Sequence, residues 1–380
     1  MLTIIAVTVG LFFAMNIGAS GAAASMGIAY GSGVLKNRML ALILCGLAVF
    51  FGAWLGGGEV VKTMGSGIVP KETFTVAIAL IVIASAALSL FLANVFGIPL
   101  STSEVTVGSV IGAGIVYQSV FAGKLAWIVT FWLLTPFAAF LIAIAAAAFL
   151  KRNFIQNLIK KPKATPILAI LVIFMGVFEA FSAGMNNVAN AVGPLVGAGI
   201  MSTGSGIFWG GLFVALGAVL LGKKVLETNG KKITKICLEE GCIISGTGAG
   251  IVTIASVFGI PVPLTQITTS SIIGIGFVKQ GRSVFKKDIV VQLLVVWVVS
   301  PVLSMVLSYT LIQLLIEQNV YPVIAMAGVL ISVSGVKFLM NQAPASVRPI
   351  TEKSKSEKER LMKNGSAETT WRKINSKLQS

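Results

Sequence analysis

The sequence predicts an all-α, polytopic membrane protein of about eleven crossings, arranged as two inverted-topology repeats with broken or re-entrant helices. Three observations carry that prediction. Of the 380 residues, 56% are hydrophobic and only 11% are charged, against about 25% charged in a soluble domain. Apolar runs of spanning length recur along the whole chain. A stretch of glycine, alanine and serine at residues 15–35, "MNIGASGAAASMGIAYGSGVL", has a partner at residues 178–201.

Taken in order, residues 1–14 lack the basic region of a signal peptide and run directly into the small-residue stretch, so the first span is expected to stay in the mature protein. Further spans are expected at Met39–Leu55, Phe74–Val95, Leu125–Leu150, Ile289–Ile316 and Pro322–Met340. Residues 1–150 read as the first repeat, 151–165 as a basic cytoplasmic linker, and 166–342 as the second repeat. Residues 343–380, rich in Lys, Glu, Ser and Asn, read as a disordered cytoplasmic tail.

The formal net charge of +16 suggests nucleic acid until its distribution is followed. Lys and Arg gather at Lys36/Arg38, Lys151–Lys163, Lys223–Lys235, Lys279–Lys287 and in the tail after Arg348. Basic loops mark the cytoplasmic face. Placing these clusters inside leaves only Lys62, Lys71 and Lys124 outside, of 29 basic residues. The N-terminus is then outside and the C-terminus cytoplasmic, in a multi-pass protein of the cell membrane that binds no nucleic acid. The chain has no histidine, and its three cysteines, Cys45, Cys237 and Cys242, have no metal or redox spacing. Metal sites, cofactors and enzymatic catalysis are therefore not expected.

The duplication is visible without gaps. Phe12, Ala14, Gly18, Ala23, Gly27, Gly31 and Gly33 fall on Phe178, Ala180, Gly184, Ala189, Gly193, Gly197 and Gly199. "VVKTMGSGI" at 60–68 matches "VLETNGKKI" at 225–233, and "FGIPLSTSE" at 96–104 matches "FGIPVPLTQ" at 258–266. The loop after the first stretch is basic while its partner at 202–206 is uncharged, and the loop at 57–72 is opposed by the basic 222–240. Matched segments thus face opposite sides, the arrangement of secondary transporters with a midplane site formed by both halves. For one stretch alone, small-residue spacing means no more than close helix packing.

Polar residues inside the copies are candidates for anion binding. They are Asn16 and Ser20 in the first, with Ser25 nearby, and Asn186, Asn187 and Asn190 in the second. Glycines around them are expected to loosen the helix, and Pro194 to end or kink the second copy. The turns at Pro99 and Pro261 each lead into hydroxyl-rich helix starts. These contribute Ser101, Thr102 and Ser103 on one side and Thr265, Gln266, Thr268 and Thr269 on the other. A helix N-terminus attracts an anion, although a single Ser there also serves as a cap. Of thirteen acidic residues, only Glu104 and Glu179 lie clearly within spans. No intramembrane Lys or Arg is available to pair with them, so both are proton-coupling candidates.

These motifs, "GASGAAASMGIAYGSGVL", "GMNNVANAVGPLVGAGI" and "GIPLSTSE", resemble the signature regions of the inorganic phosphate transporter (PiT) family over roughly residues 1–340. The family's G-A-N-D-x-A-N motif falls on Ser20, Gly21 and Ala24 in the first half and on Asn186, Asn187 and Asn190 in the second, so both of its aspartates are missing. The resemblance implies an anion site at these elements and a homodimer in the bilayer. Without the aspartates, Na+ coupling is disfavoured and H+ is the expected coupling ion. A pocket of donors lacking a carboxylate acceptor suits sulfate, which only accepts, over hydrogen phosphate, though an ionised Glu104 could accept a phosphate proton. The pattern is most similar to the sulfate permease branch of the family, implying proton-coupled sulfate import by alternating access. The alternatives are a phosphate permease of the same family and a membrane scaffold that transports nothing.

Overall fold

The computed structural model describes residues 1–95, 100–159, 161–162, 164–227, 236–286 and 288–327. The Pro99 turn, the part of the last expected span beyond residue 327 and the whole tail at 343–380 lie outside the described residues. Two compact units are present, residues 1–318 and 319–380. In the second, the described part is a helical segment at 321–327, where the Tyr321 N–H donates to Asn319 Oδ1 at 3.1 Å.

The first unit has helices and no strands among its described residues, with ten helices of fifteen or more residues. They are α1 Leu2–Ile17, α2 Arg38–Gly56, α3 Val76–Val95, α4 Thr102–Val116, α5 Ala122–Leu150, α6 Ala164–Gly197, α7 Thr203–Leu221, α8 Leu238–Val257, α9 Leu264–Gln280 and α10 Asp288–Leu315. Among the described residues, seven spans are long and apolar enough to cross a bilayer, and α3 and α4 add shorter apolar helices. Leu133 and Ile170 are 72% and 70% exposed, in the company of Trp54, Phe137 and Phe174. So much exposed apolar surface needs lipid against it. This is a multi-pass membrane protein.

Each of α1–α5 has a counterpart five helices later. The second and seventh are both 19 residues long, the third and eighth both 20. The correspondence extends to individual contacts. A Cβ on Gly18 would overlap the Val214 carbonyl, and one on Gly184 the Val49 carbonyl. Gly52 lies against the Phe181 carbonyl, and Gly217 against that of Met15. Gly112 meets the Met305 backbone, and Gly274 the Phe140 carbonyl at 2.7 Å from the Cβ position. Each pair is the other displaced by about 165 residues, with the partners exchanged between halves. Accordingly α1 packs on α7 and α6 on α2, while α4 packs on α10 and α9 on α5. Much of the small-residue pattern is thus explained by helix packing, which in lipid is driven by close contact of backbones.

The two small-residue stretches do not behave alike. In the first, α1 stops at Ile17, Gly18–Ala22 forms a π-helical turn, and Met26 interrupts the helix before Gly27–Gly31. Asn16 Nδ2 and Ser20 Oγ each donate to the carbonyl one turn back, at 2.9 and 2.8 Å. Such back-bonding competes with the helical ladder. In the second stretch the expected loosening is absent. Helix α6 runs unbroken through Asn186–Asn190 and past Pro194 to Gly197. Pro194 therefore does not end the helix. It sits in the last helical turn, deeply buried, where packing on all sides holds the helix together.

These contacts predict the effect of a single methyl. Gly184→Ala, with its Cβ driven into the Val49 backbone, should destabilise by about 1–3 kcal/mol, lowering the melting temperature in detergent by roughly 2–4 °C per kcal/mol. Gly250→Ala, at a helical glycine with nothing within 4 Å, should leave it unchanged or raise it slightly, since alanine favours the helix over glycine.

Candidate functional site

The site is built where the middle of α6 meets the start of α4 and the break between α8 and α9. Helix α8 ends because Gly259 adopts the left-handed conformation, φ +69°. The N–H groups of Gly259 and Ile260 then bond back to the carbonyls of Ser256 and Ala255 at 2.9 and 2.8 Å, closing a Schellman turn. Helix α9 starts at Leu264 behind Pro263. Pro261 therefore lies in a true break rather than a kink, and Trp132 Nε1 donates to its carbonyl at 2.9 Å.

Asn186 holds this break. Its Nδ2 donates to Ile260 O and Ser256 Oγ, both at 3.0 Å, and its Oδ1 accepts from Val262 N at 3.1 Å and Ser103 Oγ at 3.4 Å. The amide bonds to backbone on both sides of Pro261 as a neighbouring strand would. A primary amide offers two donors and two acceptor positions, so Asn186 is saturated by protein groups and serves as a pin.

One turn further along α6, Asn190 Nδ2 lies 3.2 Å from Ser103 Oγ, 3.3 Å from Thr102 Oγ1 and 3.4 Å from Asn187 Oδ1. Thr102 Oγ1 also approaches Asn187 Oδ1 at 3.5 Å. Asn190 Oδ1 is buried without a partner among the described residues. Thr102, Ser103, Asn187 and Asn190 are thus brought together, and Asn187 Nδ2 lies 3.7 Å from where a Cβ on Gly21 of the π-turn would stand. Ser101 accepts from the Glu104 N–H at 3.5 Å as the cap of α4.

Both carboxyl groups are engaged by the start of α9. Glu104 accepts from Gln266 on one oxygen and from Ser300 Oγ at 2.7 Å on the other. Glu179 Oε1 accepts from Thr268 Oγ1 at 3.0 Å, with Ser245 as a second hydrogen-bonding neighbour. Glu104 and Gln266 occupy equivalent positions of the matched blocks and bond to each other where the halves meet. Thr265 and Thr269 are not part of this assembly. Thr265 is exposed, and Thr269 Oγ1 donates to the Thr265 carbonyl at 2.7 Å on the outer face of α9. Asn16 and Ser20 are half-buried and bonded to their own helix.

Several supporting residues were not found by sequence reasoning: Ser245, Ser256, Ser300 and Trp132. Ser300 carried a signal, since Ser300–Pro301 repeats Thr135–Pro136 at the same displacement as the glycine pairs. A cavity of about 150 Å³ between α5, α8 and α9, lined by Lys151, Glu239, Glu240 and Lys279 among others, shares no residue with this site.

The profile of the phosphate transporter family matches residues 17–308, well over half of the chain. The chain belongs to this family. It is 56% identical to the sulfate permease CysP of Bacillus subtilis (strain 168) over 330 residues, covering 87% of this chain and 93% of the relative. It is 27% identical to a putative phosphate permease of Thermococcus kodakarensis, covering 82% and 97%. Among solved structures, the sodium-dependent phosphate transporter is similar at a TM-score of 0.69 and 23% identity, over 82% of this chain and 98% of that one. The family fold is therefore that of the described helices, and the asparagine cluster on α6 lies within the matched region.

The hydrogen bonds separate two adjacent asparagines. Asn186→Ala leaves Ile260 O and Val262 N unpaired in the interior, at about 1–3 kcal/mol per group, and should lower the melting temperature sharply. Asn187→Ala, which removes no bond to backbone, should melt within about 2 °C of the parent.

Proposed function

We propose that the chain imports sulfate across the cell membrane by alternating access, coupled to protons, and that it is a transporter and not an enzyme. The observation that carries this reading is the buried amide and hydroxyl cluster of Thr102, Ser103, Asn187 and Asn190. It contains no carboxylate and no cation, and the chain matches a sulfate permease at 56% identity over 330 residues. Sulfate accepts hydrogen bonds and donates none, so amide and hydroxyl donors suit it. Hydrogen phosphate additionally asks for an acceptor, which Asn190 Oδ1 could supply, so the preference for sulfate leans on the 56% identity to a sulfate permease.

Coupling follows from charge. Each net negative charge entering against the potential costs about 2.3 kcal/mol per 100 mV, so a divalent anion needs two protons to cross without net charge. Glu104 and Glu179 are both buried in the helical interior, 1% and 3% exposed, and each is hydrogen-bonded to α9. An ionised carboxylate repels an incoming anion and a protonated one does not. Proton binding at Glu104, with Glu179 as the second acid, would admit the anion, and the bonds to Gln266 and Thr268 would pass that change to α9. We read the two halves as inverted repeats, with the N-terminus outside, eleven crossings, a cytoplasmic C-terminus, and a homodimer in the bilayer. The duplicated order of helices and the exchanged glycine contacts support the repeat, while the basic clusters in the sequence support the orientation.

The test is radiolabelled sulfate uptake into proteoliposomes under an imposed proton gradient, without sodium and with excess phosphate as competitor. Uptake that phosphate leaves intact is expected. Inhibition by phosphate would favour the phosphate permease, and absence of both activities would leave a scaffold. Glu104→Gln keeps the shape of the carboxyl group but holds no exchangeable charge. It should lower gradient-driven accumulation by about tenfold or more while sulfate exchange at equilibrium persists.

A further inference from the structure

Helix α10 carries Ser300, Ser304 and Ser308, four residues apart and all fully buried. That spacing sets them on one face, and the face is the seam with α4. A Cβ on Gly108 would strike Ser304 Oγ and the Pro301 carbonyl, and one on Gly112 would lie 3.0 Å from Ser308 Cβ. Close packing asks only for small side chains here, and the other half shows which ones suffice. The matched positions on α5 are Thr135, Ala139 and Ala143. There a Cβ on Gly274 would meet the Phe140 carbonyl and, at 3.1 Å, Ala143 Cβ, contact for contact as Gly112 meets the Met305 carbonyl and Ser308. Alanine therefore satisfies the packing. The two additional hydroxyls stand in the seam that ends at Glu104, where the other half has Gln266.

Local bonding does not account for them. Ser304 Oγ donates to the Pro301 carbonyl at 3.1 Å, which leaves its lone pairs to accept. Ser308 Oγ is buried and has no partner among the described residues. A buried hydroxyl in that state is unfavourable unless something bonds to it, water above all. Ser85 and Ser89 on α3, which packs against both α4 and α10, are likewise buried and unpartnered among the described residues. At the inner end, Ser300 Oγ donates to Glu104 Oε2 at 2.7 Å. Each step of four residues rises about 6 Å, a gap spanned by one water bonded at about 2.8 Å on either side. At the outer end, Tyr117 Oη donates to Glu317 Oε1 at 2.9 Å, tying together the ends of α4 and α10. Ile312, one turn past Ser308, is fully buried and apolar, so the seam wets only as its outer end loosens. Glu104 is the one charged residue of α3, α4 and α10 from Ser300 onward.

Resting on the proton-coupled reading above, we propose that the seam between α4 and α10 is the route by which protons from the outer side reach Glu104. Ser308, Ser304 and Ser300 are its stations, with one water in each gap. Ser308 Oγ takes up a proton from outer water as its own hydrogen passes to the next water. Ser304 repeats the exchange, turning its hydroxyl away from the Pro301 carbonyl to do so. Ser300 gives its hydrogen to Glu104 Oε2 and takes another from the water behind it. The net change is one proton lost from outer water and one O–H bond formed at Glu104, with every hydroxyl restored.

The experiment combines Ser304→Ala with Ser308→Ala, which gives α10 the residues that α5 already packs. In proteoliposomes under an imposed proton gradient, the initial rate of sulfate accumulation should fall about tenfold. Sulfate exchange at equal pH, which moves no net protons, should keep its parental rate. Parental accumulation in the double variant overturns the route. An equal loss of accumulation and exchange assigns the serines to packing and overturns it as well. Ser308→Ala alone removes a hydroxyl that bonds to no protein group among the described residues, so it costs the fold no contact of that kind. It should show the same split between accumulation and exchange, and its absence counts against the route. If the parent chain accumulates no sulfate under the gradient, or Glu104→Gln accumulates it at the parental rate, the proton-coupled reading itself falls, and the route with it.

Discussion

A break in a helix surrounded by lipid releases backbone N–H and C=O groups that water cannot reach, and the rest of this site depends on how one break is sealed. Between α8 and α9 the sealing group is the side-chain amide of Asn186, which bonds to Ile260 O and Val262 N as a peptide would. Because that amide sits on the long continuous α6, the start of α9 is fixed relative to α6. Gln266 and Thr268 can then reach Glu104 and Glu179. The two acids, the cluster around Asn190 and the trajectory of α9 all trace back to one fully bonded side chain.

Close packing supplies the frame around that pin. Reciprocal contacts such as Gly18 on the Val214 carbonyl and Gly184 on the Val49 carbonyl bring backbones together without intervening side chains. Such contacts are short-ranged, and a protein interior has few intermediate packings. A structure held this way moves as rigid pieces, which suits a site assembled from two halves.

Much of this was legible in the sequence. The matched blocks align the glycines whose contacts prove reciprocal, and they set Glu104 on Gln266, which the fold joins. Asn187, Asn190, Thr102 and Ser103 also come together as their types suggest. Other features were hidden because they depend on neighbours distant in sequence. Spacing cannot distinguish Asn186, saturated by the 260–262 backbone, from Asn187 beside it. Thr265 and Thr269 looked equivalent to Thr268, but helical phase turns them to the outer face. Pro194 and the surrounding glycines suggested a broken second stretch. Burial on all sides keeps α6 intact, whereas the first stretch yields to back-bonding from Asn16 and Ser20.

The bond between Glu104 and Gln266 bears on how such a chain could arise. An ancestor assembled from two identical copies of one half would set the same side chain against itself at this point. Two glutamates would meet as like charges, and two glutamines would offer nothing to ionise. Joining the copies in a single polypeptide frees the two positions to diverge, one keeping the acid and the other becoming its amide partner. Fusion thereby allows a lone ionisable group to stand at the seam of a nearly symmetric body, which no symmetric pair of subunits can achieve.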